Sequence, residues 1–170
     1  MSTEEIVKLA IQTAKEKNIK DIVVATSSGE VLKLFEDEKD LHIVGVTCAY
    51  DQGTNHMSEE VRKHFEEAGI DLVTAGHALS GAERCFSRKF GGYGPIEIMA
   101  YTLRMFSQGT KVCVEISTMA LNAGKIEFKK PIVAVAGTGK GADTILVLTP
   151  SYSNSILDTK IHEIVAKPYN

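Results

Sequence analysis

The sequence predicts an α/β domain of three layers, a mainly parallel β-sheet between two layers of helices, spanning residues 1–170 as one unit. Three observations carry that prediction. Short runs of Ile, Val and Ala recur along the chain, continuous rather than alternating, as strands covered on both faces require. Between most of them lie amphipathic stripes at helical spacing. The runs end in Gly, Ser, Thr or Asn, the residues of tight turns.

The first helix starts at Ser2-Thr-Glu-Glu5, a capping box with Ser2 at the N-cap and Glu5 at N3. Ile6, Val7, Ala10, Ile11 and Ala14 form its apolar stripe. Strand one is Asp21 to Ala25. A short helix follows Gly29, with Val31, Leu34 and Phe35 inward. Strand two is His42 to Thr47, and Cys48 to Met57 is a polar loop. Ser58 caps a helix with Val61, Phe65 and Ala68 inward, stopped by Gly69. Strand three is Ile70 to Thr74. Residues Gly76 to Tyr93 read as a long excursion holding one or two helical turns. Pro95 at N1 opens a helix with the stripe Ile98, Met99, Thr102, Leu103 and Phe106, ended by Gly109. Lys111-Val-Cys-Val-Glu-Ile116 reads as strand four, with a short helix at Thr118 to Leu121. Strand five is Ile132 to Ala136 and strand six Thr144 to Thr149. The seven residues Gly137–Asp143 between them are too few for a parallel crossover, so this pair is expected to be antiparallel. A last short strand runs from Ile161 to Ala166.

Composition excludes several classes. Apolar residues make up 44% and charged residues 24%, a globular balance, and the net charge of −3 gives no pull toward nucleic acid or anionic lipid. No apolar run reaches the length of a membrane span, and Met1-Ser-Thr-Glu-Glu is unlike a signal peptide, so a cytoplasmic protein is expected. Cys48, Cys85 and Cys113 form no C-x-x-C pair, which argues against a disulfide framework or a zinc site.

In an open parallel sheet, ligands bind beyond the carboxyl ends of the strands. Five segments are expected there: Thr26–Gly29, Thr47–Asn55, Gly76–Gly92, Ile116–Asn122 and Gly137–Asp143. Thr26, Ser27 and Ser28 offer hydroxyl donors, and Gly29 lets backbone N–H groups approach a phosphate. The same residues would serve a plain helix cap. Gly137-Thr-Gly-Lys-Gly141 alternates glycines with Lys140, as an anion nest does, or as a flexible hairpin does. It is no Walker A loop, because Gly141 follows Lys140, and no Rossmann fingerprint, because a strand follows. In the excursion, Arg84, Arg88 and Lys89 could clamp an anion and His77 and Glu83 exchange protons, or the segment is a solvated helix face ending in Gly91-Gly92. Glu115, inside an apolar run, must find donors or a proton. Cys48 sits at a strand end, and Cys113 reads as core.

The order of parts resembles the C-terminal α/β domain of pyruvate kinase. There the first strand runs into T-x-S-G-x-[ST], half of a sugar-bisphosphate site. Thr26, Ser28 and Gly29 match it, and Val31 stands in place of the last hydroxyl. The glycine-rich loop between the last two strands of that domain resembles Gly137–Asp143 in position. The whole chain is similar to a small prokaryotic group of stand-alone domains of this type, through His77-Ala-Leu-Ser-Gly81, Ser87-Arg-Lys89, Lys111–Ile116 and Gly141-Ala-Asp143. That group is associated with flavin mononucleotide (FMN). The resemblance therefore implies a sheet of the pyruvate kinase C-terminal type and an FMN-binding flavoprotein. It implies no pyruvate kinase reaction, since no catalytic barrel accompanies the domain here, and it offers self-association as an option.

The expectation is a phosphate-bearing ligand, FMN first, held by Thr26, Ser27, Ser28 and Gly29 on one side and by Gly137, Thr138, Gly139, Lys140 and Gly141 on the other. Thr47 and Glu115 are expected near its ring or ribityl chain. Nucleic acid, membranes and metals are not expected partners. Two alternatives stay open: an enzyme acting on a phosphorylated metabolite with residues 77–92 as lid, and a regulatory or assembly module without ligand.

Overall fold

The computed structural model of the chain describes residues 1–139 and 141–169. Six strands form one sheet in the order β3-β2-β1-β4-β5-β6. They are β1 (Asp21–Ala25), β2 (His42–Thr47), β3 (Asp71–Thr74), β4 (Ile132–Ala136), β5 (Thr144–Thr149) and β6 (Lys160–Ala166). Strands β1 to β4 run parallel to one another, with Val24 beside Gly45 and Val135. The β4–β5 pair is antiparallel, as its short connection demands, and β6 continues antiparallel beyond it.

One face of the sheet is covered by α1 (Thr3–Glu16), α2 (Glu30–Lys33) and α3 (Glu59–Glu67). Their apolar sides meet Ile22, Val24, Val133 and Val135. The capping box forms as the sequence dictates: Glu5 N–H donates to Ser2 Oγ (3.3 Å), and Ser2 N–H donates to Glu5 Oε2 (2.7 Å). In α2 the inward pair is Leu32 and Phe35, with Val31; Leu34, expected inward, is exposed, because the helix is one turn long and leaves as a 3₁₀-like turn.

The other face departs further from the sequence reading. Lys111–Ile116 is not a strand, and Gly109 and Thr118–Leu121 bound no separate elements. All belong to one helix, α6 (Gln108–Asn122), which lies across the middle of the sheet. Val112, Val114 and Ile116 favour strands by side-chain shape. Burial on nearly every side overrides that preference, and a helix covered that way has no single apolar face for periodicity to reveal. Gly109 has a structural reason: a Cβ there would collide with Thr144, so glycine lets α6 close on β5. The preceding helix, α5 (Pro95–Arg104), turns Ile96, Met99, Ala100 and Leu103 inward and leaves Ile98, Thr102 and Phe106 exposed. The excursion contains α4 (Gly81–Phe90), ten residues long rather than one or two turns, with none of them buried.

Candidate functional site

Strand β1 has β2 on one side and β4 on the other, so the connections leaving their carboxyl ends part in opposite directions. This is the switch point at which open α/β sheets hold ligands. A cleft of about 350 Å³ opens there. One wall is made by strand-end turns, with Ser27, Ser28, Gly137, Gly139 and Gly141. The other is made by helices and the loop before α4, with His77, Arg84, Arg104, Gln108, Lys111 and Glu115.

The strand-end wall is built from the backbone. Thr26 is buried and its Oγ1 accepts the Gly29 N–H at 3.1 Å, closing the turn after β1. Gly29 has φ +102°, and a Cβ there would come within 2.9 Å of Phe65 and Val61. Thr26 and Gly29 thus set the turn's shape, while Ser27 and Ser28 make no hydrogen bond among the described residues. In the second turn of this wall, a Cβ on Gly137 would strike the Gly141 carbonyl, so the loop closes only with glycine. Asp143 N–H donates to Ala136 O (3.0 Å), and Ala142 N–H donates to Thr3 Oγ1 (3.2 Å), which ties the loop to the start of α1. The Asp143 carboxylate takes the Thr144 hydroxyl (2.6 Å) and, among the described residues, no loop N–H. Thr138 is exposed and outside the lining. Lys140 lies outside the described residues. Thr47 borders the cleft, but its hydroxyl already bonds Thr74 Oγ1 (2.7 Å) and donates to Cys48 O (3.2 Å).

The helix wall is built from side chains. Glu115, 2% exposed, projects from the first half of α6, not from a strand. It pairs with Lys111 one turn earlier, accepts the Leu79 N–H at 2.8 Å, and lies 3.4 Å from His77 Nδ1. Burial by itself would raise its pKa. His77, Lys111 and the Leu79 N–H outweigh that and hold the carboxyl down at about 2. Burial depresses the Lys111 pKa against the pull of Glu115, and Arg104 and Arg84 push the same way. His77 is 46% exposed at the cleft, with one ring nitrogen toward a buried carboxylate. Arg104 lies 5.0 Å from the Tyr101 ring centroid and donates from Nε to Gln108 Oε1 (2.7 Å).

Of the other charged residues, Arg84 faces the cleft, whereas Arg88 and Lys89 are exposed outside it. Glu83 lies outside the cleft lining, and its carboxylate accepts the Glu97 N–H (2.8 Å) in the first turn of α5. Cys48 lines the cleft, and Cys113 is core, its thiol pushed up by burial. Ile116–Asn122 is the second half of α6 rather than a strand-end loop. Arg104, Gln108 and Lys111 were not expected at the site. One signal for Lys111 stood in the sequence: Lys111 and Glu115 are four apart, the spacing of a helical ion pair.

Among the described residues, no cluster of His, Cys, Asp and Glu could hold a metal ion, and no helix is long and apolar enough to cross a membrane. The family model described as pyruvate kinase, alpha/beta domain, matches residues 4–148. The chain belongs to that family. Among solved structures, this pyruvate kinase alpha/beta domain is similar to two of pyruvate kinase from Cryptosporidium parvum. The first is 16% identical and covers 86% of this chain and 23% of the other, with a TM-score of 0.46. The second, in complex with ADP, is 16% identical over 99% and 24%, with a TM-score of 0.45. An O-ureido-L-serine synthase matches at 19% identity over 78% and 51%, with a TM-score of 0.32. The chain spans about a quarter of the length of the pyruvate kinases it matches.

Proposed function

We propose that this domain binds a phosphate-bearing small molecule, FMN in the first place, in the cleft at the carboxyl ends of β1 and β4. The observation that carries the reading is the meeting of two glycine-shaped turns at the switch point, with the Ser27 and Ser28 hydroxyls, which have no partner among the described residues, beside Gly137, Gly139 and Gly141. Hydroxyls and closely approachable backbone are the donor set a phosphate monoester takes.

The rest of the cleft fits the remainder of FMN. Its volume falls in the range of small-molecule sites. Val112, Ile116 and Met119 supply apolar lining for a fused ring. A flavin, when bound, supplies reversible hydride and single-electron transfer. The chain's own part is to bind and orient: Ser27 and Ser28 hold the phosphate, and the buried Lys111–Glu115 pair keeps His77 at the ring-side wall. The sequence likeness to an FMN-associated group supports the same choice.

The test is the visible absorption spectrum of freshly purified protein, followed by FMN addition and gel filtration. A flavin band that travels with the protein is the expected result. A colourless protein that also fails to retain added FMN would overturn the proposal.

A further inference from the structure

We propose that the helix wall is a second anion subsite, in which Arg84 and Arg104 receive a carboxylate or phosphate group distinct from the phosphate held at the strand ends. The subsite stands without the flavin; only its pairing with a strand-end phosphate rests on the function proposed above.

The charge distribution makes the case. The chain as a whole is acidic, at −3. Yet the helix wall holds Arg84, Arg104 and Lys111 against one carboxylate, Glu115. Glu115 is fully engaged by Lys111, the Leu79 N–H and His77. The cleft's other acid, Glu30, pairs with Lys33 at 3.1 Å. Neither arginine meets a carboxylate among the described residues, which leaves two uncompensated guanidinium groups facing one cleft. Both arginines line the same cleft as Lys111, whose pKa is depressed first by burial and further by Arg104 and Arg84.

Arg104 is also held in position. Its Cζ lies 5.0 Å from the Tyr101 ring centroid and Gln108 takes its Nε–H, while no described residue takes the N–H groups of its outer nitrogens. A planar fork fixed from behind with its outer donors open matches the two oxygens of a carboxylate or phosphate. Arg84 comes from α4, a helix with no buried residue, and so can move toward an anion at small cost.

Inorganic phosphate is the probe, followed by amide NMR in the wild type and in two double variants, Arg84→Gln/Arg104→Gln and Ser27→Ala/Ser28→Ala. The wild type is expected to bind two phosphates per chain. The arginine variant is expected to lose affinity at the helix wall by about tenfold or more, the scale of a charge-assisted contact. The serine variant keeps that event and weakens the other. Equal phosphate binding in the arginine variant and the wild type would overturn the subsite. If the serine substitutions change nothing while the arginine substitutions abolish binding, the subsite stands and the strand-end phosphate reading falls. Both arginine side chains lie at the surface of the cleft, and Arg84→Lys/Arg104→Lys, which keeps the charge, checks that a loss is not misfolding. Repeating the titration with FMN present separates two sources that both support the subsite. Unaltered binding points to a separate anionic molecule, and competition to the far end of one ligand.

Discussion

The two walls of the cleft are made differently. The strand-end wall is a backbone object: two turns whose shape is set by Gly29 and Gly137, lined by the Ser27 and Ser28 hydroxyls. The helix wall is a side-chain object, in which residues from α4, α5 and α6 and the loop before α4 meet around one buried ion pair. The first derives its geometry from local sequence and should tolerate changes elsewhere. The second depends on tertiary assembly and should fail together when its central pair is broken.

The largest effect should therefore come from Glu115→Ala. It leaves Lys111 buried with no partner, and removing one member of such a pair typically costs about 3–5 kcal/mol. Urea unfolding measures it, and adding Lys111→Met should recover most of the loss. Acid should act on the same pair. The folded-state pKa of Glu115 lies below its ordinary value of 4.5, at about 2. Its stabilising contribution is therefore complete above about pH 4.5 and is lost as the pH falls toward 2. The Glu115→Gln variant should show a flatter acid limb in a stability–pH profile.

Next comes Gly29→Ala, which tests the strand-end wall alone. It forces a side chain into a left-handed backbone against Phe65 and Val61, a strain of about 1–3 kcal/mol. Thermal unfolding should show the loss, and the buried Glu115 environment should be unchanged. Ser2→Ala touches neither wall. Loss of that cap should cost about 1 kcal/mol and leave ligand binding as it was.

The smallest effect belongs to the opposite, amino edge of the sheet. There His42 bridges Asp21 (2.7 Å) and Asp71 (3.0 Å), and Lys125 also bonds Asp71 (2.7 Å). Burial by itself lowers the His42 pKa, but the two aspartates outweigh it and raise it above 6.5. That contribution is complete below about pH 6.5 and fades as the pH rises through the folded value. For half-exposed groups it should stay below about 1 kcal/mol. His42→Asn should remove this alkaline slope without moving the acid limb.

How much was legible in the sequence follows the same division. The capping box, β1, β2, β4, β5 and the antiparallel turn could be read because each is set by neighbours in sequence. The adjacency of β1 and β4, which brings the two turns to one cleft, follows from the fold family, and the structure bears it out. The helix wall could not be read in the same way. In α6 the alternation of Val112, Val114 and Ile116 imitates a strand, and only contact with the sheet, α5 and the turn near Asn122 makes it a helix. Arg104 gave no local sign, since its role depends on Tyr101 and Gln108 and on where α5 ends. Thr47 shows the reverse: its position at the strand end was evident, but its hydroxyl is spent on Thr74.

The most direct test of the strand-end phosphate site compares two ligands that differ only in the phosphate. Titrating the wild-type protein with FMN and with riboflavin, followed by flavin fluorescence, isolates that group. The account predicts that FMN binds and that riboflavin binds at least about tenfold more weakly, the scale of lost hydrogen bonds to a charged group. Equal affinity for the two, or no binding of FMN, would contradict it.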